Sequence, residues 1–189
     1  YSHQVVYVDN TSTDGSVDII RKYADRLAYW VSERDSGQAE AINKGFAQAT
    51  GSLVGWINSD DMLLAGAIGR LAAAHQKQPE AILFGDVIHF LHGDLTGWLV
   101  RQNNVTLENM VAYWRTRGWA WNQPGTFVPR RLLERVGPLD ESLRYVFDRD
   151  WMCRLLSENP PLAYLREPVA AFRLHSQSKT VGEGMRWNR

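Results

Sequence analysis

Residues 53–61, with the sequence LVGWINSDD, limit the fold and the chemistry of this chain more than any other segment. The apolar part is short and contains Val and Ile, which predicts a buried β-strand rather than a helix. The strand ends in an amide, a hydroxyl and two adjacent carboxylates. Ligands of open α/β sheets bind beyond the carboxyl ends of the strands, and a hard divalent cation would offset the repulsion between Asp60 and Asp61. Alternatively, Asn58 and Ser59 form a turn and one of the aspartates caps the next helix.

Two earlier segments show the same order of an apolar strand and a polar loop. Residues 4–8 precede a loop of turn-forming residues that starts at Asp9, and residues 27–31 precede a polar loop over 32–37 that contains Asp35. Loops that follow parallel strands lie at the same edge of a sheet. We therefore expect Asp9, Asp35 and the Asp60/Asp61 pair to converge on one ligand site.

Apolar residues at helical spacing follow each of the first two loops. They predict helices over 17–24, capped by Ser16, and over 38–49. Strands that alternate with helices predict an α/β fold with a mostly parallel central sheet. Further along, the pattern predicts helices over 64–78, 107–114, 130–136 and 151–156, a strand or strand pair with a glycine kink over 81–90, and late strands over 163–165 and 169–174.

Composition excludes few partners but several classes of protein. The 21 basic and 21 acidic residues give a formal net charge of +0, so charge alone gives no reason to expect a nucleic-acid partner. The single cysteine, Cys153, excludes an intrachain disulfide framework and is typical of a reducing compartment. No apolar run approaches the length of about 18 residues that a membrane span requires. We expect a cytoplasmic protein with no transmembrane segment.

Several motifs, taken in order, closely resemble those of family 2 glycosyltransferases with the GT-A fold, a three-layer α/β/α sandwich. They are VDNTSTDGS at 8–16, SERDSGQ at 32–38, NKG at 43–45, NSDD at 58–61, QP at 123–124, GPLDE at 137–141, DRDW at 148–151 and RLHSQS at 173–178. The resemblance covers nearly the whole chain. Bacterial members begin one strand and one helix earlier, so we expect this sequence to lack an N-terminal piece.

The resemblance implies one domain over residues 1–189, with a nucleotide-sugar-binding half at 1–61 and an acceptor-binding half at 62–189. It implies an enzyme that transfers a sugar from a nucleotide-diphosphate sugar, a UDP-sugar by preference, to a saccharide or lipid-linked acceptor in cell-surface polysaccharide synthesis. The residues implied to bind the donor are Asp9, Asp35, Lys44, Asn58 and Asp60.

The resemblance also implies a divalent cation, Mg²⁺ or Mn²⁺. Asn58-Ser59-Asp60 occupies the family's Asp-x-Asp position, with Asn58 in place of the first aspartate. Asp60 would ligate the ion together with Asp61 beside it, and His175 would approach the metal or the diphosphate. Oxygen ligands suit both ions.

Asp148 matches the family's catalytic base, which deprotonates the acceptor hydroxyl so that attack inverts the anomeric carbon. Phe147 stands where relatives often have a glutamate. Asp150 is a rival base, and a helix N-cap is the structural alternative for this segment. The aromatic stretch with Trp119, Trp121 and Gln123 would floor the acceptor pocket or pack in the core.

Two other classes of protein stay open. The chain could be a non-catalytic nucleotide-sugar or carbohydrate-binding module, that is, a degenerate transferase. A nucleotidyltransferase shares carboxylates at the sheet edge, but the sequence has no Gly-rich, Arg/Lys-bearing triphosphate loop. The acceptor class leaves open a peripheral association with the inner face of the membrane, and no nucleic-acid partner is expected.

Overall fold

The computed structural model describes residues 2–91, 94–112, 121–176 and 178, and the chain divides into two compact units. Unit 1 comprises Tyr1–Val54 and Val128–Pro160, and unit 2 comprises Gly55–Phe127 and Pro161–Arg189. Both units are therefore built from two separate stretches of chain. The single domain with halves at 1–61 and 62–189 stays a prediction beside this division.

Strands and helices alternate along the chain. In the described residues the strands are β1 (Val6–Asp9), β2 (Tyr29–Ser32), β3 (Leu53–Val54), β4 (Met62–Leu63), β5 (Ile82–Leu91), β6 (Asp94–Val100), β7 (Thr126–Pro129) and β8 (Leu162–Leu174). The helices are α1 (Ser16–Lys22), α2 (Gln38–Gln48), α3 (Ala67–Lys77), α4 (Leu107–Val111), α5 (Arg130–Val136) and α6 (Phe147–Ser157), with 3₁₀ turns at Ala24–Arg26 and Gln123–Gly125.

The α/β class is confirmed, although fewer strand pairs are parallel than predicted. In unit 1, β1 and β2 are parallel, with Asp9 opposite Ser32, and β3 pairs antiparallel with the end of β7. In unit 2, β5 and β8 are parallel, whereas β5 pairs antiparallel with β6 and with the start of β7, and β4 pairs antiparallel with β8. Only two residues separate β5 from β6, a connection of the length that joins antiparallel strands.

Strand β5 is the centre of the unit 2 core. Of its nine residues from Ile82 to Phe90, eight are buried and only Ile88 is partly exposed. A β-carbon on Gly85 would lie 2.4 Å from Val169 Cγ1, so glycine lets β5 and β8 approach each other. The predicted kink is instead a shift in strand register next to Asp86.

Three other local predictions need correction. Gly15, not Ser16, precedes the first turn of α1, because the Ser16 hydroxyl donates to Asp14 Oδ1 at 2.7 Å. Strand β3 stops at Val54, and a β-carbon on Gly55 would lie 2.7 Å from the Phe127 ring, so the chain continues irregularly to the acidic residues. The two late strands are one strand of 13 residues. No helix in the described part of the chain is long and apolar enough to cross a membrane.

Candidate functional site

The predicted site residues are distributed over both units. Unit 1 contains Asp9, Asp35, Lys44 and Asp148, and unit 2 contains Asn58, Asp60, Asp61 and His175. The convergence of Asp60 with Asp9 and Asp35 therefore stays a prediction, and each group is described within its own unit.

Asp9, at the carboxyl end of β1, is a buried carboxylate that holds its own loop and the neighbouring strand. Its Oδ2 accepts from the Ser12 backbone N–H at 3.0 Å and from Ser32 Oγ at 2.6 Å, and Ser12 Oγ donates to Oδ1. Burial raises the pKa of Asp9, but the hydrogen bonds from Ser12 and Ser32 outweigh it and leave the pKa below its usual value. Three of about four acceptor positions are thus used within the protein.

The loops after β1 and β2 meet, as predicted for parallel neighbours. The Asp35 backbone N–H donates to Asn10 Oδ1 at 3.1 Å, and the Glu33 N–H donates to the Asp9 carbonyl at 3.0 Å. Burial raises the pKa of the Asp35 carboxyl, and Glu40 adds to this, while the Gly37 N–H and Lys44 act against it. Asp9 and Asp35 therefore stand on adjoining loops at one edge of the β1–β2 pair.

Lys44 lies between two carboxylates. Its Nζ is 2.7 Å from Glu33 Oε1 and 2.8 Å from Glu40 Oε1. The hydrogen bonds that Lys44 donates to Glu33 and Glu40 raise the pKa of Lys44 above its usual range. The pKa of Glu40 falls to about 2, because Lys44 and then Ser36 donate to it. In this arrangement the lysine fixes α2 to the preceding loop, and its charge is already compensated.

Sequence reasoning missed the role of Asn43, which it named only as part of the NKG motif. Asn43 Nδ2 donates to the Leu139 carbonyl at 2.9 Å, and Asn43 Oδ1 accepts from the Leu139 N–H at 2.9 Å. Nδ2 also donates to Glu141 Oε1 at 2.8 Å. Asn43 therefore attaches α2 to the GPLDE segment, and the signal was the presence of both motifs in one sequence.

Asp148 lies in the first turn of α6, which starts earlier than predicted. The helix begins at Phe147, and the residue before it, Val146, has a φ of 53°. This left-handed conformation is strained for a β-branched residue, and such strain clusters at functional sites. Asp148 Oδ1 accepts from the Arg149 N–H at 2.8 Å. Val146, rather than either aspartate, occupies the N-cap position, so the capping alternative is wrong.

The rival base Asp150 has a structural role in the same helix. Arg154 Nε donates to Asp150 Oδ2 at 2.9 Å, and its two other nitrogens donate to the carbonyls of Val136 at 3.0 Å and Pro138 at 2.8 Å. The ion pair orients Arg154, which connects α6 to the end of α5. Asp150 therefore has a guanidinium partner one helical turn away.

Residues 58–61 form a turn between β3 and β4, so the turn predicted as the alternative for this segment is found. Neither aspartate caps the next helix, because Gly66 occupies the N-cap position of α3. The Asp61 N–H donates to the Asn58 carbonyl at 3.0 Å. The Asp61 carboxylate turns inward, where Oδ1 accepts from the Arg173 N–H at 3.0 Å and Oδ2 from Asn58 Nδ2 at 3.2 Å. Burial, with Asp60 beside it, raises the pKa of Asp61 to about 6 despite these bonds. Asp61 and Asn58 therefore position the turn against β8.

The same turn presents Asp60 to His175. Asp60 Oδ2 is 2.9 Å from His175 Nε2, and the two side chains are 35% and 28% exposed. A carboxylate oxygen can only accept, so Nε2–H is the donor when the carboxylate is ionised. The predicted proximity of the histidine to the acidic motif is found here, at the end of β8.

These residues fit a divalent cation in part. Asp60 Oδ2 and His175 Nε2 lie 2.9 Å apart and would supply one oxygen and one nitrogen ligand from the protein. Asp60 supplies the oxygen that Mg²⁺ and Mn²⁺ prefer, whereas imidazole is less typical for them. No group of three or more His, Cys, Asp or Glu side chains arranged to hold a metal occurs among the described residues. The other ligands would come from the donor diphosphate and water.

In the described part of the aromatic segment, the side chains of Trp121 and Gln123 are buried. Trp121 Nε1 donates to Thr126 Oγ1 at 2.7 Å, and Gln123 Nε2 donates to the Trp56 carbonyl at 2.7 Å. Trp119 lies outside the described residues. Core packing therefore accounts for Trp121 and Gln123, and an additional role at an acceptor pocket stays a prediction.

Comparison with curated proteins gives several relatives that are named as glycosyltransferases. The chain is 27% identical over 176 residues to a PGL/p-HBAD biosynthesis glycosyltransferase of Mycobacterium bovis, covering 89% of this chain and 64% of the relative. It is 22% identical to the putative glycosyltransferase EpsH of Bacillus subtilis, covering 93% of this chain and 53% of the relative. The chain thus spans less than two thirds of the length of these relatives.

Comparison with solved structures shows the fold. S. aureus TarS 1–349 in complex with UDP superposes with a TM-score of 0.71 at 20% identity, over 92% of this chain and 52% of the TarS 1–349 chain. The mannosyltransferase PcManGT from Pyrobaculum calidifontis, in complex with GDP-Man and Mn²⁺, has a TM-score of 0.65 at 18% identity, over 97% of this chain and 51% of its own. These matches confirm the predicted GT-A fold.

The family itself follows from the sequence model that matches most of this chain. The model described as glycosyl transferase family 2 matches residues 1–137, which include β1, the NKG motif and the 58–61 turn. The chain therefore belongs to glycosyl transferase family 2.

Proposed function

We propose that the protein is an inverting glycosyltransferase that moves a sugar from a UDP-sugar to a saccharide or lipid-linked acceptor in cell-surface polysaccharide synthesis. The observation that carries the proposal is the Asp60–His175 pair, 2.9 Å apart, on a turn that Asp61 and Asn58 lock to β8. The pair combines a half-exposed carboxylate and an imidazole on a fixed backbone. Such a pair would offer one oxygen and one nitrogen to an ion that also binds the donor phosphates.

The choice of donor rests on the structural neighbours. TarS has been crystallised with UDP and with UDP-GlcNAc, and PcManGT with GDP-Man and Mn²⁺. We assign a nucleotide-diphosphate sugar to this chain on that basis, with UDP as the preferred nucleotide and Mn²⁺ or Mg²⁺ as the ion. When bound, the ion would offset the negative charge that develops on the departing diphosphate.

The residues of the chain have three tasks in this reaction. Asp60 and His175 hold the donor end, and His175 then carries its proton on Nδ1 so that Nε2 is free to bind. Asp9 and Asp35 shape the nucleotide loops. Asp148 accepts the proton of the acceptor hydroxyl while that oxygen forms a bond to the anomeric carbon. The bond from that carbon to the diphosphate breaks, and its electron pair leaves with the diphosphate.

Two features of α6 support Asp148 as the base rather than Asp150. Asp150 is engaged by Arg154, and protonation would cost the ion pair that joins α6 to α5. Asp148 lies two residues after Val146, whose backbone is strained at a φ of 53°. Backbone strain next to a carboxylate is an arrangement found at catalytic residues.

A second candidate function, a non-catalytic nucleotide-sugar-binding module, is favoured by the state of Lys44. Its charge is compensated by Glu33 and Glu40, so it offers little net attraction to phosphate. A module of this kind would bind UDP-sugar without releasing UDP. The predicted cytoplasmic location and membrane association remain predictions under either function.

Donor turnover with and without metal tests the proposal. The protein should release UDP from UDP-sugars in the presence of Mn²⁺, and chelation should abolish release. Asp60→Ala should remove the Mn²⁺ dependence of UDP binding in calorimetry and leave thermal unfolding unchanged, because the half-exposed carboxylate contributes little to packing. Asp25→Ala, at an exposed carboxylate of a 3₁₀ turn, is the matched control. UDP binding that Mn²⁺ does not alter in the wild type would refute the metal site, and binding without UDP release would favour the module.

A further inference from the structure

A concave region lies in unit 2, among β5, β6 and β8. It is a cavity of about 560 Å³ lined by Asp86, Arg101, Tyr164 and Arg166, with Leu99, Asn103 and Pro168 completing the wall. Pro168 precedes Arg173, the backbone partner of Asp61, by five residues of continuous strand, or about 16 Å. The cavity is therefore separate from the Asp60–His175 pair.

The floor of the cavity is a buried carboxylate. Asp86 is 2% exposed, and its Oδ1 accepts from Tyr164 OH at 2.6 Å and from the Gln102 N–H at 3.2 Å. No ion pair to Asp86 is found among the described residues, although a buried charge is costly without one. A carboxylate can accept about four hydrogen bonds, so about two positions remain for a ligand.

The rim of the cavity carries two exposed arginines. Burial and the bond to Asp86 raise the pKa of Tyr164 to about 12, and the charges of Arg101 and Arg166 act against that rise. Both arginines line the same cavity as Tyr164. Neither forms a salt bridge within the described part of the chain. Guanidinium groups in this condition are suited to bind phosphate or carboxylate oxygens in a bidentate manner.

The backbone around the cavity is irregular at the residues that line it. Arg166 has a φ of 57°, in the left-handed region that non-glycine residues rarely adopt. The pairing of β5 with β8 changes register on both sides of Asp86. Bulges of this kind redirect side chains and are frequent beside binding sites. The strain and the bulge bring Asp86, Tyr164 and Arg166 around one space.

We propose that this cavity binds an anionic carbohydrate, that is, a sugar or polyol with a phosphate or carboxylate group. Arg101 and Arg166 bind the oxyanion, and Asp86 and Asn103 bind hydroxyl groups. Leu99 and Pro168 contact the carbon face of the ligand. One net positive charge remains on the lining after Asp86 is counted, which selects for an anion. This second site is independent of the transfer reaction proposed above.

Calorimetric titration of the whole chain tests this proposal. Glucose 6-phosphate and glucuronate represent the two oxyanions, and glucose and inorganic phosphate represent each half of the ligand. We expect at least one of the two anionic sugars to bind at least tenfold more tightly than glucose and inorganic phosphate. Replacement of both arginines, Arg101→Gln with Arg166→Gln, should weaken that binding at least tenfold, since charge-assisted bonds are lost. Arg26→Gln, an exposed arginine of unit 1, is the control and should bind as the wild type does.

Several results would overturn the proposal. They are no binding of either anionic sugar, equal affinity for inorganic phosphate, or unchanged affinity in the double variant. If the double variant does not fold, amide chemical shifts of the wild type decide the question. Glucose 6-phosphate or glucuronate must then shift the amides of Arg101, Asn103 and Arg166, and shifts confined to the residues around Asp60 would refute a separate site. The outcome does not depend on UDP binding or release, so this proposal and the proposed function can fail separately.

Discussion

Replacement of Asn43 by alanine should destabilise the protein far more than its partly exposed position suggests. The change removes the partners of both backbone polar groups of Leu139, a residue that is 2% exposed. Each buried group left without a partner costs about 1–3 kcal/mol. Alanine recovers about 0.6 kcal/mol of helix propensity within α2. We therefore expect a loss of about 2–4 kcal/mol in the free energy of unfolding, mostly from the two orphaned groups.

Urea unfolding of matched variants measures this loss. Glu141→Ala removes only the bond at the surface and should cost under about 1 kcal/mol. Hydrogen exchange adds a local measurement, since the Leu139 amide should exchange faster in Asn43→Ala than in Glu141→Ala. If the two variants have equal stability, or if exchange of the Leu139 amide is unchanged, then the double hydrogen bond between α2 and Leu139 does not hold these segments together.

Three further predictions concern catalysis and pH. Asp148→Asn should lower kcat of the enzyme by about 10²-fold with donor affinity nearly unchanged, and Asp150→Asn should have a much smaller effect on kcat. If Asp150→Asn lowers kcat more than Asp148→Asn does, Asp150 is the base. Asp9→Asn should lower the free energy of unfolding by about 1–2 kcal/mol at neutral pH, measured with urea, because charge-assisted hydrogen bonds are lost. This difference should vanish as the pH falls below about 3.9 and through the lowered pKa of Asp9, where the wild-type carboxylate becomes protonated. A difference that persists in acid would contradict the charge argument. Burial lowers the pKa of His89, so the unfolded chain binds the proton more tightly than the folded protein does. The free energy of unfolding should therefore fall as the pH drops below about 6.5. His89→Gln can still donate a hydrogen bond to Asn122 and should make the stability less dependent on pH in this range.

The sequence pattern predicted the ends of a helix correctly where a neighbouring residue, such as a glycine, ends the helix. Helix α5 was predicted over 130–136 and found at Arg130–Val136, because Gly137 with a φ of 85° ends it. Helix α2 was predicted one residue too long. By contrast, α6 begins four residues earlier than predicted, since nothing in the sequence indicates that Val146 adopts a left-handed conformation. A strained residue is held by its surroundings, and these are not visible in local periodicity.

The candidate site shows the same division between near and distant causes. The sequence indicates that residues 58–61 follow a strand and are polar, and it identifies His175 through the family resemblance. It does not show that the Asp61 carboxylate turns toward Arg173, 112 positions away in the chain. The ion pairs of Lys44 with Glu33 and Glu40 were equally hidden, although Glu40 stands one helical turn away. The residue types in a motif thus indicate which chemistry it could perform, but not which distant residues its side chains will bond to.

The bond between Asn43 and Leu139 also has a consequence for the newly made chain. The two residues are 96 positions apart, and the stretch between them contains most of unit 2. At synthesis rates of about 5–20 residues per second, α2 waits about 5–20 s for its partner segment. During that time Phe46 has no Trp151 ring to stack against, a contact with a centroid distance of 5.6 Å in the folded protein. Unit 1 therefore stays incomplete until the segment around Leu139 has been made, and it depends on protection from aggregation during that time.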